Sequence, residues 1–237
     1  MKDRMTCGIT EIDNGLSGFY YGDLVLSTSR PGHGNIYLLI SIARGICFSA
    51  KDSPKCLIFT NNERKNCAYY QTGDEGIFTY YNYAAKDLQC FKKELVSVIK
   101  TTGAKIIIVE NIELDFGKSS DFYRYLKKTA SDSEILIFVK ANMSRNSERK
   151  SYFDPKIADI EGSAVLEQVA DKFIIMHRLD VLGIKDMSGR DQRDLTDLRL
   201  CSGDVLRTDT KYILFDSEKR IFKDFTPDDK RYGYYYL

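Results

Sequence analysis

Short apolar runs alternate with amphipathic segments along most of this chain. The five runs are 23–28 (DLVLST), 55–60 (KCLIFT), 105–110 (KIIIVE), 134–140 (EILIFVK) and 172–178 (KFIIMHR). They are almost continuously apolar and do not alternate between apolar and polar positions. This indicates β-strands that are buried on both faces of a parallel sheet.

The segments between these strands have the spacing of helices. Segment 36–48 is apolar on nearly every side, which predicts a helix in the core. In 87–100 apolar residues recur at helical spacing opposite several lysines, which predicts a helix on the surface of the sheet. Ser119 and Ser120 are suited to start a third helix, and 164–170 predicts a short fourth one. The alternation of strands and helices predicts βαβ units in a doubly wound sheet.

After about Leu195 the pattern changes to strands without intervening helices. The segments 194–200, 210–216 and 219–225 predict an antiparallel extension. The predicted fold is α/β with three layers and a mostly parallel sheet that carries this C-terminal extension. A chain of 237 residues predicts a single domain over 1–237, with a core over about 7–225 and a Tyr-rich tail over 226–237.

Charge and cysteine usage exclude several classes of protein. Lys and Arg number 35 against 34 Asp and Glu, so no global basic field attracts nucleic acid and any DNA contact must be local. The six cysteines form no C-x-x-C pair, which predicts reduced thiols, a cytoplasmic protein and no metal site. The first residues lack a signal-peptide pattern, and the apolar stretch 37–48 is short and contains Arg44, so no membrane association is expected.

The segment 28–37 (TSRPGHGNIY) lies between the first predicted strand and the first long helix, where nucleotide-binding proteins hold phosphate. A phosphate loop needs glycines for its turn, a lysine for the β- and γ-phosphates and a hydroxyl for magnesium. Glycines are present, but Asn35 and Ile36 stand where the lysine and the hydroxyl belong. The candidate loop residues are Arg30, Pro31, Gly32, His33, Gly34 and Asn35.

Two long stretches resemble the RecA-like motor domain of DnaB-type replicative helicases. Segment 8–35 is similar to the family pattern G-x-x-x-L-D-x-x-x-G-L-x-x-G-D-L followed by A-R-P-x-M-G-K-T, and Arg30, Pro31 and Gly34 match it directly. Segment 159–178 is similar to D-L-R-E-S-G-S-I-E-Q-D-A-D followed by a strand and Tyr-Arg. Its coinciding residues are Ser163, Glu167, Gln168, Ala170, Asp171 and Arg178. The resemblance covers about 7–225 and implies a RecA-like P-loop NTPase fold. We expect no helical N-terminal domain before Gly8.

The resemblance also implies that the catalytic residues have been lost. The family's phosphate-binding lysine, magnesium hydroxyl, catalytic glutamate, Walker B aspartate and arginine finger fall on Asn35, Ile36, Asn62, Glu110 and Cys201. The switch glutamine falls near Ala141, and the lysine of the last motif falls on Arg199. An arginine finger alone is worth roughly 10³ to 10⁵ in rate. These losses imply a pseudoenzyme with degenerate Walker motifs that uses neither ATP nor magnesium.

Local charge suggests where DNA would bind. Segment 140–156 carries Lys140, Arg145, Arg149 and Lys150, with Tyr152 and Phe153 among them, and loops at this position face single-stranded DNA in the resembled helicases. The alternative is a solvated loop. His33 is interpreted as a solvated loop histidine, with phosphate contact as its alternative. Glu110 is interpreted either as the ligand of a water-bridged cation or as a hydrogen-bonded remnant.

These observations predict a DnaB-like helicase homologue whose ATPase is inactive. It would bind single-stranded DNA or act as an accessory to a helicase or another replication or recombination protein, as part of a homo- or hetero-oligomer. One alternative is an active DNA-dependent ATPase in which Arg30 replaces the lysine and Glu110 holds magnesium. Another is a structural subunit of a mixed ring.

Overall fold

A single sheet organises the part of the chain that the computed structural model describes, which is residues 3–61, 76–84, 87–110, 120–143, 156–160, 163–178, 180–183, 185, 194–203, 205–206 and 210–225. Its strands are β1 Leu24–Ser29, β2 Cys56–Thr60, β3 Phe78–Asn82, β4 Ile106–Glu110, β5 Leu136–Asn142, β6 Lys172–Arg178, β7 Leu195–Ser202, β8 Val205–Leu206, β9 Lys211–Asp216 and β10 Ile221–Asp224. The spatial order is β10-β9-β7-β6-β1-β5-β4-β2-β3, and β8 pairs with β7. Strands β1 to β6 pair in parallel, and the strands from β7 onward pair antiparallel. The predicted mostly parallel α/β sheet with an antiparallel extension is confirmed.

Helices cover both faces of this sheet, which gives the predicted three layers. They are α1 Thr10–Gly15, α2 Asn35–Ser49, α3 Leu88–Thr102, α4 Ser120–Ser133 and α5 Ser163–Val169. Val25 of β1 packs in one buried cluster with α1 and α2, and its neighbours Leu24 and Leu26 pack in a second cluster with α3 and α4. Side chains that alternate in this way bury both faces of β1. Each fully buried aliphatic side chain contributes about 1.5–3 kcal/mol.

The long helices lie where the sequence predicts. Helix α2 is buried on most sides, and its exposed large apolar residue is Phe48 near the C-terminal end. Helix α3 begins after Asp87, whose side chain accepts a hydrogen bond from the backbone N–H of Cys90 at 2.8 Å. This cap satisfies one of the amides that a helix start leaves without an intrahelical partner.

The hairpin of β9 and β10 packs on α2. The backbone N–H of Phe222 donates to Ser41 Oγ at 3.0 Å, and the rings of Phe215 and Phe222 are 4.8 Å apart. Phe215 also contacts Tyr37 in the first turn of α2, with ring centroids 5.7 Å apart. The antiparallel extension therefore fixes the helix that begins at the candidate phosphate loop.

Charged side chains connect the amino ends of β1 and β6. Asp171 accepts a hydrogen bond from the backbone N–H of Leu24 at 2.7 Å, and Lys127 of α4 donates to both of its carboxylate oxygens at 2.8 and 2.7 Å. Beside them, Lys172 forms an ion pair with Asp23. This network holds the amino edge of the sheet together, opposite the edge where the candidate loop lies.

Most of the described cysteines are buried, as expected for thiols in the core. Cys7, Cys47, Cys56 and Cys201 are buried, whereas Cys90 is exposed. Within the described ranges no cluster of three or more His, Cys, Asp or Glu side chains could hold a metal ion. None of the helices assigned in those ranges combines the length and apolar character needed to cross a bilayer.

Candidate functional site

The candidate loop lies at the carboxyl end of β1, between Ser29 and the start of α2 at Asn35. Gly32 and Gly34 have φ of +83° and +85°, a left-handed conformation that side chains with a Cβ rarely adopt. Gly34 is the N-cap residue of α2 and offers no side-chain cap. The amides of the first helical turn and the positive end of the helix dipole therefore face the loop, as in anion-binding loops.

The two residues after Gly34 turn into the protein. Asn35 is 3% exposed, and its Oδ1 accepts a hydrogen bond from Ser27 Oγ at 2.5 Å. Its Nδ2 has no acceptor among the described residues. Ile36 is buried in the cluster around α2. Neither side chain brings a positive charge or a hydroxyl to the loop.

Lys140 and Glu110 meet at the same edge of the sheet. Ser27 of β1 lies directly opposite Lys140 of β5, and Thr60 of β2 lies opposite Glu110 of β4. The Lys140 Nζ is 3.4 Å from Glu110 Oε1. The Glu110 side chain is 6% exposed and that of Lys140 is 27% exposed. The Glu110 carboxylate is therefore buried beside an ammonium group.

The His33 side chain is buried beneath the backbone of the loop, so its interpretation as a solvated loop histidine is wrong. The side chain is 1% exposed, and its Nδ1 accepts a hydrogen bond from the backbone N–H of Arg178 at 3.0 Å. Its ring stacks on that of His177, with centroids 5.7 Å apart. Because Nδ1 is an acceptor, the neutral ring carries its proton on Nε2. His33 fastens the loop to β6.

Arg178 is fixed by two neighbouring side chains at the end of β6. Its guanidinium forms two hydrogen bonds with Asp180, Nε to Oδ1 at 3.1 Å and Nη2 to Oδ2 at 2.6 Å. It also lies over the ring of Phe215, 4.5 Å from the centroid. A guanidinium that is stacked and paired in two places keeps one position. Arg178 therefore supports the backbone N–H that holds His33.

Burial lowers the pKa of His33 from its ordinary value of 6.5 to about 4, and the neighbouring His177, Arg178 and Arg30 act in the same direction while Asp180 opposes them. The unfolded chain therefore takes up a proton near pH 6.5 that the folded protein does not bind until about pH 4. Stability is expected to fall as the pH drops between these values, by on the order of 2–3 kcal/mol, and to show no contribution from His33 above pH 6.5.

An NMR titration of the His33 ring protons would check this value. The ring signals should stay unchanged from neutral pH down to about pH 5 and move near pH 4. Urea unfolding across the same pH range should show a smaller acid loss in His33→Gln, which has no imidazole. A ring that titrates near 6.5 would contradict the buried position.

The remaining predicted site residues lie elsewhere or outside the described chain. Cys201 of β7 is buried opposite Phe173, and its Sγ donates to the Gly203 carbonyl at 3.4 Å. This position is near the amino end of β6, away from the loop. Arg199 lies opposite Ile175 in the same strand pair. The residues outside the described ranges are Asn62, Arg145, Arg149 and Lys150, together with Tyr152, Phe153 and the tail 226–237.

Sequence reasoning missed the role of Ser27 and the pairing of Lys140 with Glu110. Lys140 was predicted as a DNA contact, and the described geometry does not test that prediction. One signal was available in the sequence, since Ser27, Lys140 and Glu110 are polar residues near the carboxyl ends of otherwise apolar runs. The register between the strands, which sets them side by side, is visible only in the structure.

A family model described as DnaB-like helicase C terminal domain matches residues 93–219. The chain is 23% identical over 217 residues to the Replicative DNA helicase DnaB of Mycoplasma pneumoniae, an alignment that covers 73% of this chain and 46% of the relative. It is 30% identical over 97 residues to that of Mycobacterium leprae, covering 37% of this chain and 16% of the relative. The chain thus spans about half the length, or less, of the curated relatives that it matches.

Solved structures with this fold include an ATPase domain and a KaiC-like protein. The ATPase domain superposes with a TM-score of 0.72 at 16% identity, covering 93% of this chain and 90% of that one. The KaiC-like protein PH0186 from Pyrococcus horikoshii OT3 gives 0.60 at 13% identity, covering 95% and 100%. These likenesses show a RecA-like fold. Because the family model matches more than half of the residues, the chain belongs to the DnaB-like helicase C-terminal domain family.

Proposed function

We propose that this protein is a DnaB-family domain that neither binds nor hydrolyses ATP, and that it acts by binding single-stranded DNA or a protein of replication or recombination. The observation that carries the proposal is the inward position of Asn35, whose side chain is buried and hydrogen-bonded to Ser27. Relatives of this chain are named replicative DNA helicases, which is the basis for the proposed partners.

The residues at the loop do not fit a magnesium–triphosphate complex. Such a ligand needs a lysine for the β- and γ-phosphates, a hydroxyl on the metal and a carboxylate near it. Here Asn35 replaces the lysine and Ile36 replaces the hydroxyl, and both side chains are buried. Glu110 is beside an ammonium group. The backbone amides of the loop remain, but amides alone do not neutralise the charge of a triphosphate.

A titration with ATP and magnesium tests the first half of the proposal. We expect no measurable heat of binding and no phosphate release above the blank, with or without a single-stranded oligonucleotide. A DnaB helicase with an intact phosphate loop, assayed in parallel, is the positive control. Micromolar ATP binding together with hydrolysis would overturn the proposal and favour the alternative ATPase. In that case Arg30→Ala and Glu110→Gln would show whether these two residues carry the activity.

Binding to a labelled single strand tests the second half. The proposed contacts include Arg149 and Lys150, so Arg149→Ala with Lys150→Ala should weaken binding and reduce the slope of log affinity against log salt by roughly 1.4. The control is Lys51→Ala with Lys55→Ala, which removes the same charge from exposed positions near the amino edge of the sheet. Equal affinities of the two double variants would remove the DNA assignment and favour a structural subunit of a mixed ring.

A further inference from the structure

Ser27, Lys140 and Glu110 form one row on the sheet beneath α2, and Asn35 of α2 contacts this row at Ser27. Ser27 holds Asn35 and lies opposite Lys140 in the register of β1 and β5. Val109 of β4 lies opposite Val139 of β5, so the residues that follow them are Glu110 and Lys140, side by side. The side chains of Ser27, Lys140 and Glu110 belong to the face of the sheet that α2 covers, because they alternate with residues of the opposite cluster. Asn35 meets this face from α2 itself, through its hydrogen bond with Ser27.

A carboxylate buried as deeply as that of Glu110 needs a positive partner nearby. Removing an unpaired carboxylate from water costs far more than a fold can supply, so such groups pair with a cation or become protonated. In a magnesium–nucleotide site the metal and the loop lysine supply positive charge at this edge. Asn35 supplies no charge here, whereas the Lys140 ammonium lies 3.4 Å from the carboxylate.

The ammonium and a divalent ion compete for the same side of Glu110. Magnesium binds carboxylate oxygens at about 2.0–2.1 Å and keeps most of its water shell, which requires open space around the oxygen. The Lys140 amine lies next to Oε1, where a hydrated metal ion would have to fit. Binding a divalent ion would place a second positive centre against the lysine.

We propose that Lys140 is the resident cation of this cleft and that it determines the cleft's selectivity by excluding divalent metal from Glu110. The lysine of the family's loop is absent, and Lys140 of the neighbouring strand supplies the positive charge. The inference rests on the site of the proposed function, and it is independent of DNA binding. Exclusion of the metal by Lys140 would prevent magnesium binding at Glu110 independently of the missing lysine and hydroxyl of the loop.

Line broadening by Mn²⁺ alone, measured on backbone amide NMR signals, tests this proposal because it detects weak sites. In the wild-type protein the amides around Glu110 should not broaden selectively. In Lys140→Met they should broaden selectively, at a Mn²⁺ concentration at least roughly tenfold below any that broadens them in the wild-type protein. The effect should disappear when Glu110→Gln is added. Lys128→Met is the matched control, because Lys128 is an exposed lysine paired with Asp132 on α4.

Two results would overturn the proposal. One is selective Mn²⁺ broadening around Glu110 in the wild-type protein, and the other is a folded Lys140→Met that gains none. If Lys140→Met does not fold, ¹³C-methylated wild-type protein provides the test. Its Lys140 methyl signal should move in Glu110→Gln and stay fixed in millimolar Mg²⁺, and movement with Mg²⁺ would overturn the proposal. ATP turnover in a protein whose Glu110 takes up no Mn²⁺ would instead refute only the proposed function.

Discussion

Replacing Asp171 with alanine is expected to lower the free energy of unfolding by about 3 kcal/mol. The carboxylate accepts the backbone N–H of Leu24 at 2.7 Å, where β1 begins, and both of its oxygens accept hydrogen bonds from Lys127. Alanine would leave the amide of a fully buried residue without its acceptor and Lys127 without its counter-ion. Loss of an acceptor from a buried donor costs the full desolvation of that donor.

An exposed Lys–Asp pair within α4, the helix that also carries Lys127, is the matched control. Lys128 and Asp132 form an i, i+4 ion pair in which both side chains are mostly exposed, so Asp132→Ala should cost less than about 0.5 kcal/mol. Urea unfolding followed by circular dichroism compares the two variants. An Asp171→Ala variant no less stable than Asp132→Ala would show that the amino-edge network does not hold β1 and β6.

This structural role explains why Asp171 in the second matching stretch agrees with the family pattern, whereas Asn35 in the first stretch departs from it. Asp171 belongs to the second matching stretch, and its contacts in the structure are with the backbone of β1 and with α4. Asn35 belongs to the loop of the first stretch, where the family residue would contact phosphate. A side chain that stabilises the fold is needed whether or not ATP is bound, whereas a phosphate ligand is needed only for the nucleotide.

Most of the sheet could be predicted from the sequence, because the strands concerned are buried on both faces. The residues of β2, β4 and β6 form short, nearly continuous apolar runs. Runs of this length and composition are typical of buried strands. Strand β3 was missed. Its residues are half-buried or exposed, and it is held by its pairing with β2, so the sequence there has no apolar run to detect.

Helix α1 was missed for a different reason. It spans six residues and has no side-chain cap, so its own sequence stabilises it little. Its position depends on Asp13, which accepts hydrogen bonds from the backbone N–H groups of Cys7 and Gly8 at 2.8 and 2.9 Å. Such a local network can be recognised only once the backbone path is known.

The location of the site could be predicted, whereas the contacts of its side chains could not. A loop between an apolar strand and an apolar helix indicates the carboxyl edge of a parallel sheet, and Glu110 lies at that edge as expected. The burial of His33 depends on Arg178, which is far away in the sequence and becomes its neighbour only through the pairing of β1 with β6. Spacing along a single chain contains no information about that register.

Gly45→Ala is expected to destabilise the protein by about 3 kcal/mol or more. A Cβ at this position would lie 1.8 Å from the carbonyl oxygen of Cys7 and 2.6 Å from its carbonyl carbon. Both atoms belong to the backbone, so no side-chain rotation relieves the contact, and α2 or the N-terminal segment must move. Without this contact the substitution would stabilise α2, because alanine is favoured over glycine inside a helix by about 1 kcal/mol. A loss of stability in Gly45→Ala would therefore show that the backbones of α2 and of Cys7 are in close contact, and a gain would show that they are not.

The matched control lies three residues further along the same helix. Phe48 is 63% exposed, so Phe48→Ala should change stability by less than about 1 kcal/mol. Because α2 begins at Asn35, directly after the loop, displacement of this helix should also disturb the loop and loosen the hydrogen bond between His33 and Arg178. The pKa of His33 in Gly45→Ala should then rise from about 4 towards its ordinary value of 6.5, and in Phe48→Ala it should stay low. A destabilised Gly45→Ala with an unchanged His33 pKa would show that the loop is held by β6 alone, independently of where α2 lies.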